Sequence, residues 1–228
     1  MWWFLVLMGC WGTEERVAAQ EEMLRMEMDD HWREGEAARD AIVQGDLDAA
    51  RAAAGALAER IPVEGVPPDI EPLQAHMGEA ARTLAGAEDL TRAARHLGAL
   101  ARTCGACHDQ TAGGPQVRAA APPEAPGLEG AMARHQWAAE KMWLALVEPN
   151  ETAWDEAVYA LSLAPLVPSG TPADSPLPPL ATEIELGVHE LARSAQAAGS
   201  PEVQARHYGE MLVSCAACHL LLRDAEPR

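Results

Sequence analysis

The chain has 228 residues, 35 of them acidic and 17 basic, for a formal net charge of −18. That balance disfavours nucleic-acid binding, which needs basic surface against phosphates, and suits either salt-dependent attraction to a basic partner surface or simple solubility. Hydrophobic residues make up 48% of the chain but include one Phe and two Tyr, so alanine dominates the apolar positions and such small side chains leave a core short of bulk.

Residues 1–9 are apolar throughout and too few to cross a bilayer as a helix. The tetrapeptide Leu7-Met8-Gly9-Cys10 resembles the lipobox of bacterial lipoproteins. That resemblance implies cleavage before Cys10, a lipid on its thiol, and a short lipidated N-terminus over residues 10–14. The segment departs from the usual pattern in having no Lys or Arg before Cys10.

From about Glu14 to Gln44, Leu24, Met28, His31, Gly35, Ala38 and Ile42 recur at alternating steps of four and three, the spacing of one helical face. Gly45 ends this helix, and Asp46 caps a second that runs from Leu47 to Ile61. A Pro- and Gly-rich loop follows. A third helix starts near Ile70, with Pro72 in its first turn, where a missing N–H is harmless. The fourth starts at Glu88 or Asp89. Four helices joined by short loops over residues 15–110 predict a helix bundle.

The fourth helix carries Cys104-Gly-Ala-Cys107-His108, a C-x-x-C-H run with the spacing of a c-type haem attachment site. On a helix, positions i, i+3 and i+4 share a face. Two thiols can then bond to one porphyrin edge while the imidazole reaches the iron. A redox dithiol or a zinc site also uses C-x-x-C. Neither explains a histidine directly after the second cysteine, whereas haem iron requires a proximal ligand.

Residues 111–127 are rich in Gly and Pro without periodicity and read as a linker. The programme then repeats over residues 128–228. Leu128, Met132, His135, Ala139, Met142 and Leu146 each lie 104 residues after the first stripe, and Cys215-Ala-Ala-Cys218-His219 lies 111 after the first motif. The second half has therefore gained seven residues, placed by this reading in the Pro-rich loop before its third helix. The expected fold is all-α: two tandem four-helix bundles, each with a covalent haem c on its last helix. Five cysteines resolve as two haem pairs plus Cys10.

Gly98 and Gly209 six residues before each motif, Thr103-Cys-Gly-Ala-Cys-His-Asp109, and Arg223 after the second motif resemble cytochrome c′ and its low-spin relatives. The likeness covers both halves, although the first lacks a basic or aromatic residue after Asp109. In the low-spin relatives a side chain from the first helix fills the sixth iron position, which in cytochrome c′ itself is open. Here that implies His31 and His135, at matching places on the first helix of each half. An imidazole turned into a core needs a partner, and Gly35 and Ala139 one turn on would let a flat macrocycle approach. Met28 and Met132, one turn earlier, are the alternative ligands, and an open site is the third possibility.

The resemblance implies electron transfer rather than enzymatic catalysis, with two haem c groups as cofactors. The net charge adds redox partner proteins docking through a basic surface, and the lipobox likeness implies a lipid anchor on the periplasmic side of a bacterial membrane, the outer membrane by preference. Open distal sites would instead imply a gas-binding or sensing protein. His96 and His207 lie twelve residues before the proximal ligands, about 18 Å along a helix, and so cannot reach the same iron. His76 and His189 fall at non-matching places on the third helices and read as surface or packing residues.

Overall fold

A computed structural model of the chain describes residues 4–61, 68–111, 114, 121–124, 126–163 and 177–225, with only the backbone for 4–17, 19–21, 224 and 225. The described residues form eight α-helices and no strand. They are α1 (Phe4–Val43), α2 (Leu47–Arg60), α3 (Glu71–Ala85), α4 (Leu90–Thr111), α5 (Gly127–Val147), α6 (Glu151–Ser162), α7 (Pro179–Ala195) and α8 (Pro201–Ala225).

Helix boundaries follow from side-chain chemistry at the ends. Gly45 takes φ 74°, which costs glycine no Cβ clash. Its N–H bonds to the Ile42 carbonyl at 2.9 Å and the Asp46 N–H to Ala41 at 2.8 Å, a Schellman ending of α1. Asp46 then turns from stop to start, its Oδ1 accepting from the Ala49 N–H at 2.9 Å. Asn150, 104 residues later, does the same for the Ala153 N–H. Asp89 accepts from Arg92 at 2.7 Å to open α4.

Within each half the helices pack in chain order, α1 on α2, α2 on α3 and α3 on α4, then α5 on α6, α6 on α7 and α7 on α8. The seven extra residues fall between α6 and α7: the caps Asp46 and Asn150 keep the offset of 104, whereas buried Gln74, Met77, Ala81 and Leu84 of α3 match Glu185, Val188, Ala192 and Ala195 of α7 at 111. Most of that loop, like the loop after α2, lies outside the described residues.

The halves are joined by α4 against α8, a contact as extensive as the α1–α2 hairpin. A Cβ on Gly98 would lie 2.2 Å from the Ala205 carbonyl oxygen, and one on Gly209 would lie 2.9 Å from the Ala94 oxygen. Gly98 with Ala205 and Ala94 with Gly209 are the same pair seen from the two halves, each offset by 111. The crossing therefore has approximate two-fold symmetry, and glycine is needed because backbone meets backbone. One hydrophobic core runs through both halves. Trp143, Trp154 and Tyr208 supply bulk that alanines lack, each fully buried. Trp143 of α5 reaches across to α1, its ring 6.2 Å from that of Trp32 and 6.3 Å from that of Tyr208.

The stripe expected on each first helix is buried over less than its full length. Leu24 and Leu128, the first residues of each stripe, are 37% and 39% exposed. At 1.5 Å per residue, α2 and α6 are too short to cover α1 and α5 that far from their C-termini. Gly35 of α1 is buried, and a Cβ on it would lie 3.1 Å from the Trp143 indole.

Gly98→Ala should therefore lower stability by about 1–3 kcal/mol through overpacking, read by thermal or denaturant unfolding. Gly187→Ala in exposed α7, where nothing lies within 4 Å, should raise it by about 0.5–1 kcal/mol. Equal effects at the two sites would contradict the crossing.

Candidate functional site

Cys104, Cys107 and His108 lie on α4, and Cys215, Cys218 and His219 on α8, so each triplet shares one helical face as its spacing requires. The four cysteines are free. Burial, with a smaller contribution from the neighbouring cysteine, pushes the Cys104 thiol up to about 12 and the Cys215 thiol up to about 11. Burial also raises Cys107 and Cys218. A redox dithiol needs the reverse, a lowered thiol. Nor do the two pairs meet as a four-thiolate zinc site. Among the described residues the one cluster with metal-ligating geometry is His135, Glu185 and His189.

Each motif histidine is fixed by its Nδ1. The His108 Nδ1–H donates to the Val147 carbonyl at 2.7 Å, and the His219 Nδ1–H to the Val43 carbonyl at 2.8 Å. A carbonyl can only accept, so the proton sits on Nδ1 and the Nε2 lone pair is left for a metal. A backbone carbonyl in this place is the usual outer partner of a ligating imidazole. The residues present thus fit a haem held through two thiols and one histidine. Gly114 lies against the His108 ring, its absent Cβ 3.2 Å from the histidine Cβ, where the sequence offers no aromatic or basic cover. The second site has Arg223, donating to the Gln44 carbonyl at 3.1 Å.

His31 of α1 is 9% exposed, and neither ring nitrogen has a hydrogen-bond partner. Burial pushes its imidazole below the ordinary range, a shift toward the neutral form that can ligate. Met77 of α3 borders the first motif, with its Sδ 3.9 Å from Cys104 Sγ. In the second half α7 links motif to histidine. The Glu185 charge acts on the Cys218 thiol, Glu185 Oε1 lies 2.6 Å from His189 Nε2, and the His189 ring meets the His135 ring edge-on at 5.0 Å. His189 Nδ1–H also donates to the Leu161 carbonyl. The first half has Gln74 and Gly78 at the positions of Glu185 and His189, so the two sites share their motif residues and differ in these neighbours.

Met28 and Met132 are half-buried, His76 is exposed, and His189 is 1% exposed. His96 and His207 are half-buried, the latter 3.7 Å from Glu210. The backbone of Cys10 lies in α1, and its side chain is outside the described residues. No described helix is long and apolar enough to cross a membrane. The Glu185–His189 pair is the component that reading the sequence missed; its signal is the i, i+4 spacing on the buried stripe of α7. Comparison with protein-family models, curated proteins and solved structures finds no match.

His189→Ala, which strips Glu185 of a buried partner, should cost about 1–3 kcal/mol. His76→Ala on exposed α3 should change stability by less than about 0.5 kcal/mol. Denaturant unfolding of the two variants side by side checks the difference.

Proposed function

We propose that the chain is a diheme c-type cytochrome that passes single electrons between partner proteins. In this reading α1–α4 and α5–α8 are tandem four-helix bundles. Cys104 and Cys107 hold one haem c, Cys215 and Cys218 the other, and His108 and His219 are the proximal ligands. The observation that carries the reading is the pair of motif histidines, each held by an Nδ1–H bond that leaves Nε2 for iron. The raised thiols and the separation of the two cysteine pairs count against the dithiol and zinc readings, and the likeness to cytochrome c′ and its low-spin relatives points the same way.

Haem iron supplies a one-electron ferric–ferrous couple, tuned by its ligands, burial and nearby charge. The chain's part is to attach, orient and shield. His31 and His135 are proposed as distal ligands, His31 on the strength of its two unpartnered buried nitrogens. The −18 net charge suits docking to a basic redox partner. The proposed lipid on Cys10 places the protein on the periplasmic side of a bacterial membrane, the outer membrane by preference, with no enzymatic role. A second reading, gas binding at an open sixth position, is favoured for the second half by the contact of His135 with His189.

The resting ferric protein should show low-spin absorption and EPR spectra for both haems. His31→Ala should convert one haem to high spin and open it to carbon monoxide, while Met28→Ala should not. High-spin iron in both halves of the unaltered protein would favour gas binding and contradict the electron-carrier reading.

A further inference from the structure

We propose that each half of the chain positions the proximal histidine of the other: the Val43 carbonyl of α1 sets His219 of α8, and the Val147 carbonyl of α5 sets His108 of α4. This inference rests on the haem ligation proposed above. It makes the whole chain, rather than either half, the smallest unit with two correctly tuned irons.

The two bonds are related by the internal repeat. Val43 and Val147 are 104 apart and His108 and His219 are 111 apart, so the same contact forms twice across the approximate two-fold at Gly98 and Gly209. Helix endings make the acceptors available. At the end of α1 the Schellman bonds take the carbonyls of Ala41 and Ile42, leaving those of Val43 and Gln44. His219 takes the first and Arg223 the second. At the end of α5 the Glu148 N–H bonds to Leu144 and the Asn150 N–H to Ala145. Pro149 has no N–H to give, and the Val147 carbonyl goes to His108.

Close packing holds both ends in place. A Cβ on Gly45 would lie 2.7 Å from Leu220, the residue after His219, and one on Gly105 would lie 2.2 Å from the Leu146 carbonyl. The position equivalent to Gly105 is Ala216, so the two contacts tolerate different side chains.

The acceptor is also electrically special. A helix C-terminus carries roughly half a negative charge, and a bond from Nδ1–H to it makes the imidazole a stronger donor through Nε2. A stronger donor favours ferric over ferrous iron, so each bond lowers the potential of the haem in the opposite half. Val43 and Val147 act through the histidines and are positioning groups.

The test uses the full haem-loaded chain labelled with 15N-histidine and 13C-carbonyl valine, reduced to its diamagnetic ferrous form. Through-hydrogen-bond NMR correlations should link His219 Nδ1 to Val43 and His108 Nδ1 to Val147, with both Nδ1–H protons protected from exchange. Gly45→Ala should weaken only the first correlation and raise the second haem's potential, by up to about a tenfold change in the redox equilibrium, about 59 mV for one electron. Gly105→Ala should do the same only at the first haem. Gly127→Ala is the control: it has the same φ of 74° and nothing within 4 Å, and should move neither potential. Two bound haems with neither correlation in the unaltered protein would overturn this inference and leave the cytochrome reading standing. So would loss of a correlation in a glycine variant with both potentials unchanged. A chain that carries no haem by absorption would defeat the cytochrome reading itself.

Discussion

The close approach of α4 and α8 governs the molecule. These are the helices that carry the two C-x-x-C-H motifs, and at Gly98 and Gly209 they meet backbone to backbone. With the helices that close, the C-terminus of α5 falls beside His108 and that of α1 beside His219. The core is continuous because Trp143 can pack between Trp32 and Tyr208 across the joint. A side chain larger than hydrogen at either glycine would push the helices apart. The same displacement would loosen the bonds of both motif histidines and the aromatic contacts that connect α1 with α5.

Much of the architecture was legible in the sequence because it is written in local chemistry. Asp46 and Asn150 announce helix starts, Gly45 a helix stop, and the offsets of 104 and 111 tell where the halves diverge. The motif triplets needed only helical periodicity to place two thiols and an imidazole together. Contacts between the halves were not legible, since no local pattern tells which carbonyl a histidine will find 39 or 176 residues away or that Trp143 will lie against Gly35. Gly98 and Gly209 were visible as part of a family likeness, but their reason is the helix crossing, which exists only when both halves are present. The exposure of Leu24 and Leu128 depends on the lengths of α2 and α6, a tertiary fact that a periodic stripe does not contain.

The two sites share a plan and differ in detail. Both have the same C-x-x-C-H spacing, a carbonyl-bound motif histidine and a histidine on the first helix of the half. Around them, Gln74 and Gly78 in one half correspond to Glu185 and His189 in the other, Gly105 corresponds to Ala216, and Arg223 bonds to the end of α1 at the second site. Under the proposed function, identical attachment with different polar neighbours yields two irons of unequal potential, since nearby charge and hydrogen bonding set the couple. The buried Glu185–His189 pair gives the second site a neighbour that the first lacks.

The proposed function depends on two porphyrins being covalently attached to the four motif cysteines. The most direct measurement is the intact mass of the mature protein produced in a host that attaches haem c, followed by peptide mapping. The account predicts the mass of the processed chain plus two haem groups, with thioether bonds at Cys104, Cys107, Cys215 and Cys218. A chain made under those conditions with all four thiols unmodified would contradict it.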